Sequence, residues 1–424
     1  MFKKKYTQFI SGYKRFFHIV EFQESKTLQG IAWALIVGWF LEFSTWWRFS
    51  DFTINAVQEG RHLCWPFFQS CGDWYFLTLE PLGNTQGLMY AFLFALLVSA
   101  GYLLIKGRYT AVHALFLLLF FWEMTVLLMS MRLAVNYWYF HVFYAALFLF
   151  PFGKLTLLRL GAVLLYFFSG ILKLNEGWVD GAYFKALSEG LYLVPNALIP
   201  VATNAVIFME MALVWFLLGK ERIYRMVVLA LLFVFHVYSV VYVGYVYPSI
   251  VLPVVLILFL SDEKSISLRK IFYKKVAGPL LLSLFFVIHV IPYAIEGNAH
   301  ITGEGNKYGM YMFETNYQCV SSAMFHYTNG EVEEHVSESH YAIQRCDPYT
   351  HYFYFKQLCA ANGNIDSIEW DFDTSLNGSD LFRIVEVENA CELRYKAFQH
   401  NKWIQPSFDG LEPVGVVTKN NYRP

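Results

Sequence analysis

Charged residues are scarce in this sequence: they make up 15% of its 424 residues, whereas hydrophobic residues make up 57%. Soluble domains carry about 25% charged residues, so the composition argues against an ordinary soluble protein. The net charge is −1, so there is no basic excess to indicate nucleic-acid binding. No apolar signal-peptide segment follows the basic start of the chain. We expect residues 1–27 to form a basic amphipathic segment on the membrane surface, a partly ordered tail being the alternative.

Long apolar runs dominate residues 28–296, and each approaches the roughly 20 residues that a membrane-spanning helix needs. The predicted spans are 28–47, 86–105, 111–131, 133–152, 157–173, 201–218, 224–242, 246–260 and 276–295. This pattern predicts a mostly α polytopic membrane bundle with about nine spans. The apolar segment 182–200 is interrupted by Glu189, Gly190 and Pro195, so we expect it to be interfacial or re-entrant.

Basic residues between these spans predict the orientation. If the N-terminus is cytoplasmic and the spans alternate, every short basic cluster falls on one side, as the positive-inside rule requires. These clusters lie in 1–27, 106–110, 153–159, 219–225 and 261–275. We therefore expect an integral membrane protein, with a bacterial inner membrane as the default, and a non-cytoplasmic C-terminal region.

Residues 297–424 are more polar and predict a small β-rich domain outside the membrane. Alternating stretches at 308–313, 351–356, 367–372 and 381–387 are separated by Asn-Gly turn signals. The stretch 387–402 is predicted to contain either a helix or another strand.

Six cysteines fall on the predicted non-cytoplasmic side and outside every span: Cys64, Cys71, Cys319, Cys346, Cys359 and Cys391. An even number in an oxidising compartment predicts disulfides. We expect Cys64 to pair with Cys71, while the other four allow three connectivities. No Cys/His spacing typical of zinc is present, so no metal site is predicted.

The stretch 164–181, LLYFFSGILKLNEGWVDG, ends a predicted span and places Lys173 where a membrane helix meets water. If Lys173 is buried, desolvation favours the neutral amine, which is a competent general base. The alternative is an interfacial lysine that reaches water and pairs with Glu176 or Asp180.

Residues 166–175, YFFSGILKLN, and 177–181, GWVDG, resemble the signature of the vitamin K-dependent γ-glutamyl carboxylase family. The same signature marks its bacterial relatives, the HTTM (horizontally transferred transmembrane) domain proteins. Phe235-His236 followed by Gly244, Tyr247 and Pro248 is similar to a second family pattern, and 300–313 gives a weaker third match. The resemblance covers residues 20–315 at the level of motifs.

The resemblance implies that Lys173 is the base that activates reduced vitamin K or another quinol, with His236 as a second catalytic residue. In the carboxylases the activated quinol reacts with oxygen, and the strong base so formed removes a γ-proton from glutamate before carbon dioxide adds. Asn136, Tyr137, Trp178 and Glu210 are expected to contact the substrate. The family usually has histidine at the position of Tyr137, so the resemblance implies the membrane fold more directly than carboxylation.

Three functions stay open at this point. The first is a lysine-base membrane enzyme of the carboxylation or epoxidation type, whose partners would be membrane lipids, a lipid-soluble quinol and a protein or peptide substrate. The second is a non-catalytic scaffold whose outer domain binds a lipid or a partner. The third is a transporter with Glu123, Glu210 and His236 along its path.

Mid-span carboxylates are costly in lipid, so Glu123 and Glu210 should face the bundle interior. Either could pair with Arg132, with His236 or with a ligand. The other intramembrane histidines, His113, His141 and His289, are expected to be structural.

Overall fold

The computed structural model describes residues 2–48, 62–74, 85–133, 136–187, 190–264, 267–269, 271, 276–309, 315–340 and 346–415. Helices dominate the described residues up to 302, and the strands follow them. The helices are α1 (Phe2–Phe16), α2 (Ile19–Glu24), α3 (Lys26–Arg48), α4 (Thr85–Ile105), α5 (Tyr109–Met129), α6 (Asn136–Leu149), α7 (Lys154–Leu172), α8 (Glu176–Val179), α9 (Ala182–Lys185), α10 (Ile199–Met211), α11 (Arg222–Val243), α12 (Val246–Leu260), α13 (Ala277–Ala294), α14 (Ala299–Thr302) and α15 (Pro348–Ala361). The strands are β1 (Tyr317–Tyr327), β2 (Val332–His340), β3 (Ile365–Leu376), β4 (Leu381–Val387) and β5 (Pro413–Gly415).

Seven helices in the described part of the chain are long and apolar enough to cross a membrane. They are α3, α4, α5, α7, α10 with its 3-10 continuation to Leu218, α11 and α13. The predicted helical bundle with a C-terminal strand region is confirmed, and these seven helices have the length and apolarity expected of membrane spans. Two further apolar helices, α6 and α12, have 14 and 15 residues. Each covers only about 21–23 Å, less than the roughly 30 Å hydrocarbon core.

Helix α7 lies at the centre of the bundle. Of its most apolar 18-residue stretch 72% is buried, against 22% to 50% for the other six candidate spans. It packs against α6, α10, α12 and α13. A polar side chain near the end of α7 is therefore surrounded by protein rather than by lipid.

The five segments predicted to share one side of the membrane meet at one end of the bundle. Their links are Glu21 to the backbone N–H groups of Gly153 and Lys154, Ser25 and Thr27 to Glu263, Arg159 to the carbonyls of Leu258, Ser261 and Glu263, Arg225 to Asp262, and Phe22 to Tyr109. Carboxylates at the start of α7 are favoured there because they accept bonds from its free N–H groups.

The C-terminal region contains a five-stranded antiparallel sheet in the order β2-β1-β3-β4-β5. Along β3, Ile368, Trp370 and Phe372 alternate with more exposed residues and face the core. Helix α15 packs on β3, with Phe355 in edge contact with Trp370 at 5.4 Å between ring centroids. The predicted stretches 367–372 and 381–387 lie in β3 and β4.

The interpretation of 351–356 as an extended stretch is wrong, because these residues belong to α15. Asp347 caps that helix by accepting a bond from the N–H of Tyr349, and Pro348 occupies its first turn. Tyr349, Tyr352 and Phe353 then recur at helical spacing and are buried. Beyond Val387, the stretch up to 402 forms turns rather than the expected helix or strand. Most of 308–313 lies outside the described residues.

The six cysteines form three disulfides. Cys64 pairs with Cys71, as predicted, and the other two pairs are Cys319–Cys346 and Cys359–Cys391. The loop of the first disulfide joins the two parts of the molecule. Trp65 donates from Nε1 to the carbonyl of Leu127 at 2.6 Å, and the Tyr349 hydroxyl donates to the Cys64 carbonyl at 2.9 Å.

Candidate active site

Lys173 is the residue at which α7 ends, and it is 4% exposed. The chain turns there because Asn175 caps the short helix α8, its Oδ1 accepting a bond from the N–H of Trp178 at 3.2 Å. The Lys173 side chain therefore stays inside the protein and does not reach water. Its ion-pair partner is Glu210, not Glu176 or Asp180.

The ammonium group of Lys173 has a complete set of acceptors. Nζ lies 2.7 Å from Oε2 of Glu210, 2.6 Å from Oγ of Ser169 and 3.2 Å from the Ser169 carbonyl. A lysine has three N–H donors, and these three oxygens match them. The Trp178 ring centroid lies 5.3 Å from Nζ, which adds a cation–π contact.

Gly170 allows Glu210 to reach Lys173. A Cβ at this position would lie 2.5 Å from Cγ of Met211 and 3.2 Å from Cβ of Glu210, so α7 and α10 approach each other closely only with glycine here. Ser169 and Gly170 therefore have separate roles: the first provides a hydroxyl to the amine, and the second provides the space for the carboxylate.

The Lys173–Glu210 pair faces a cavity of about 170 Å³. Its wall is almost entirely apolar or aromatic, and among the described lining residues only these two carry a full charge. The loop that follows α9 covers one side, because the Tyr238 hydroxyl donates to the carbonyl of Tyr192 and the Tyr192 N–H donates to Tyr242. This loop belongs to the segment predicted to be interfacial or re-entrant, of which Glu189 lies outside the described residues.

His236 lies one layer behind this cavity and does not line it. Its Nε2 and the Tyr166 hydroxyl share a hydrogen bond of 2.5 Å. Tyr247 lies between them and the cavity: its ring is 5.4 Å from that of His236 and also lines the cavity. Nδ1 of His236 is buried and has no hydrogen-bond partner among the described groups.

The other predicted site residues divide into three sets. Trp178 and Glu210 line the cavity with Lys173. The side chains of Asn136 and Tyr137 lie outside the part of the chain that the structure describes. Glu123 belongs to another cluster, where its partners are Trp39 and His141 rather than Arg132 or His236.

All three histidines expected to be structural bond to protein groups, and two of them bond to no carboxylate among the described residues. His113 bonds through its two ring nitrogens to the Tyr13 hydroxyl and the Leu149 carbonyl, at 2.7 and 3.1 Å. His289 bonds through Nδ1 to the carbonyl of Phe285 at 2.7 Å. His141 differs, because it faces two carboxylates.

Sequence reasoning missed the pairing of Lys173 with Glu210 and the presence of Glu42 in the cluster of Glu123. A signal for both was available. Oppositely charged residues buried in separate spans tend to pair, and Glu42 is itself an acidic residue within the first predicted span. The bond of Tyr166, one turn before Gly170, to His236 was also missed, since no sequence pattern links this tyrosine to a histidine in another helix.

The C-terminal region contacts the wall of the cavity. Asn316, just before β1, donates from Nδ2 to the carbonyl of Tyr183, which lines the cavity. Gly177 in α8 packs directly against Nδ2 of Asn377, and a Cβ there would overlap that atom. The turn between β3 and β4 therefore packs against the segment formed by α8 and α9.

These features define a helical protein with seven apolar helices of membrane-span length in its described part and a buried lysine–glutamate pair that borders an apolar cavity. No protein-family model, no curated protein and no solved structure matches the chain. The family resemblance thus depends on the motif residues alone.

Proposed function

We propose that this protein is a membrane enzyme in which the Lys173–Glu210 pair acts as a general base on a lipid-soluble, weakly acidic substrate, with a quinol as the best-fitting class. One observation carries the proposal: Lys173 and Glu210, the two charged residues among the described lining of the cavity, face a space that is otherwise apolar and aromatic. Burying ionisable groups inside a membrane bundle costs free energy, so such groups are usually functional. This pair borders an apolar cavity of the kind that binds small molecules.

The pair would act as a unit. In the resting state the two side chains together hold one acidic proton, so that Lys173 is an ammonium and Glu210 is a carboxylate. When a substrate hydroxyl gives up its proton to the pair, Lys173 is an ammonium, Glu210 is a carboxylic acid and the substrate is an oxyanion. The ammonium then stabilises that oxyanion, and the Ser169 hydroxyl orients the amine.

The shape of the cavity favours a planar ring. Trp178 and Tyr183 are stacked, with ring planes inclined by 24°, and both line the cavity. Its volume of about 170 Å³ is below the roughly 300–1,000 Å³ of sites that enclose a whole drug-sized ligand. We infer that the ring system enters and that an apolar tail stays outside.

Entry from the bilayer between α10 and α11 fits this division. The cavity rim there includes the half-buried Val206 and Tyr238. Apolar residues exposed on the outer faces of the same two helices include Val201, Phe208 and Val234. A lipid-soluble substrate would reach Lys173 without passing through water.

His236 takes a positioning role in this proposal. It contacts Tyr166 and Tyr247, and through Tyr247 it would set the shape of the cavity wall. The quinol would be reduced vitamin K or a related compound, and the later steps of the family reaction would need oxygen and carbon dioxide. A protein or peptide substrate would approach from the side of the C-terminal region.

The proposal includes the predicted topology. Helices α6 and α12 would complete nine spans as short crossings surrounded by protein. The end of the bundle that gathers the basic segments would face the cytoplasm of a bacterium, with residues 1–27 on the membrane surface and 297–424 outside. The Cys64–Cys71 loop accepts a hydrogen bond from Tyr349 of the C-terminal region, which contains the other two disulfides, and this contact supports a common oxidising side.

The test is quinol binding and turnover in lipid nanodiscs. Wild type, Lys173→Met, Glu210→Gln and the exposed control Lys106→Met would be titrated with menadiol, following the quinolate absorption and oxygen consumption. Because general-base catalysis contributes about 10²–10⁴-fold, we expect Lys173→Met and Glu210→Gln to lose at least about 100-fold in rate, with Lys106→Met unchanged. Folded wild type that neither binds nor turns over any quinol would leave a non-catalytic scaffold as the better interpretation.

A further inference from the structure

A second cluster of ionisable side chains lies inside the bundle and does not border the Lys173 cavity. It consists of Glu42 on α3, Glu123 on α5 and His141 on α6, which are 0%, 0% and 2% exposed. One ligand atom from each lies within 4.8 Å of the others. We propose that these three side chains bind a divalent first-row transition metal ion.

The distances suit one ion shared by three ligands. Nδ1 of His141 lies 3.2 Å from Oε1 of Glu123 and 3.7 Å from Oε2 of Glu42. A tetrahedral ion with ligands at about 2.0–2.2 Å has neighbouring ligand atoms about 3.3–3.6 Å apart. The two distances from His141 are therefore within a few tenths of an ångström of this spacing, and the two carboxylates lie within 4.8 Å of each other.

The hydrogen bonding of His141 directs a lone pair into the cluster. Its Nε2 lies 3.1 Å from the carbonyl of Leu35, which can only accept, so Nε2 carries the hydrogen. In the neutral ring Nδ1 then has its lone pair towards the two carboxylates. A cation between them turns this repulsion into ligation.

Two carboxylates beside one histidine favour a cation at this site. Among the described residues, the only ion-pair partner of either carboxylate is His141. Glu123 accepts a bond from Nε1 of Trp39 at 2.7 Å, whereas both carboxylate oxygens of Glu42 are buried and accept no bond from a described N–H donor, their polar neighbour being the carboxyl group of Glu123. A buried carboxylate with no partner is costly, and a divalent cation would balance both acids at once.

The surroundings hold the ligands in place as an outer shell would. A Cβ at Gly38 would overlap the imidazole of His141, so glycine leaves the space that the ring fills. Trp39 orients Glu123, and the Leu35 carbonyl orients His141. One imidazole and two carboxylates form a set that suits zinc, iron(II) or manganese(II) rather than a soft ion such as copper(I).

An ion at this position would tie α3, α5 and α6 together. The inference is independent of the proposed quinol chemistry, because none of the three ligands lines the Lys173 cavity. Loss of the ion is expected to lower the stability of the bundle, since metal binding to a folded site contributes to folding.

Metal content of the purified full-length protein tests the inference. After growth with added zinc, iron or manganese, we expect close to one ion per chain by elemental analysis, and a cobalt(II) form with d–d absorption bands. In competition with a chelator, the metal affinity of Glu42→Gln and of His141→Gln should be at least about 100-fold lower than that of wild type. The affinity of Trp39→Phe should be about 10-fold lower. His289→Gln, which removes a buried histidine from another helix, should retain the ion.

Wild-type measurements decide the question even if a ligand variant fails to fold. Wild type without a bound metal, which also binds no cobalt(II) on refolding, would overturn the inference. In that case the infrared band of a protonated carboxylic acid, absent from Glu42→Gln, would show that protons neutralise the cluster.

Discussion

The two buried ionisable clusters of the bundle differ in charge balance. Lys173 and Glu210 are oppositely charged, and every N–H of the amine has an acceptor. Glu42, Glu123 and His141 instead bring two acids to one histidine, and among the described residues no N–H group donates to Glu42. The balanced pair borders an empty space, whereas the acidic cluster is sealed by Trp39 and neighbouring rings.

This difference teaches which buried groups can do chemistry on a substrate. A pair that is neutral as a unit can gain a proton and return it without an outside ion. A cluster with excess negative charge needs a permanent cation or permanent protons. Because both clusters are buried, burial alone does not distinguish them.

Removing one member of the Lys173–Glu210 pair is expected to have the largest effect. Lys173→Met or Glu210→Met leaves one buried group unpaired, and we expect each to lower the free energy of unfolding by about 3–5 kcal/mol. The double variant should recover most of that loss, because two apolar side chains need no partner. Equilibrium unfolding in mixed detergent micelles measures all three.

The exposed Lys106→Met is the matched control and should change the free energy of unfolding by less than about 0.5 kcal/mol. A double variant as unstable as the sum of the two single variants would contradict a paired site.

Substitutions at Gly170 and Gly38 should impair the two clusters independently of each other. Gly170→Ala places a Cβ against Met211, and we expect overpacking to cost about 1–3 kcal/mol and to weaken the Lys173–Glu210 contact. Gly38→Ala should instead disturb His141 and lower metal retention while leaving quinol turnover near wild type. Thermal unfolding, metal analysis and turnover on both variants measure the separation.

The control for these substitutions is Gly12→Ala in α1, where no atom lies within 4 Å of the added Cβ. If Gly170→Ala and Gly38→Ala impaired both sites alike, the clusters would not be independent.

Lowering the pH should have a smaller effect on stability, through Glu263 at the end of the bundle where the basic segments meet. Burial opposes ionisation of Glu263, but the hydrogen bonds from Ser25 and Thr27 outweigh it, so the pKa of Glu263 lies below its ordinary value. The stability that it contributes is full above the unfolded pKa of about 4.3 and is lost as the pH falls through the lower folded pKa. The melting temperature of wild type should therefore fall below about pH 4 more than that of Glu263→Gln. Parallel curves for the two proteins would remove Glu263 from this role.

The sequence predicted the location of the helices better than their partners. Each of the nine predicted runs falls on a helix, because long apolar runs bounded by Lys, Arg or Gly leave little choice of structure. Whether a run is long enough to cross depends on where tertiary contacts end it, as α6 and α12 show. The helix at 348–361 was missed because alternating aromatic residues suit a strand, while the Asp347-Pro348 start outweighs them.

The candidate site was only half predictable. Lys173 and Trp178 are close in sequence, so one motif places both. Glu210 reaches them only because Gly170 lets α10 approach, and this contact between helices leaves no trace in the spacing of residues. His236 was placed at the site by resemblance, whereas Tyr166 and Tyr247 keep it behind the cavity wall.

The packing of Asn377 against Gly177 affects the choice of a host in which to produce the protein. Asn377-Gly378-Ser379 is an acceptor sequence for N-linked sugar, and the sugar would be attached to the same Nδ2 that packs against Gly177. A glycan and this contact exclude each other. A chain modified at Asn377 in a eukaryotic secretory pathway would lose the contact with Gly177 and keep that of Asn316 with Tyr183, whereas an unmodified chain from a bacterial host keeps both contacts.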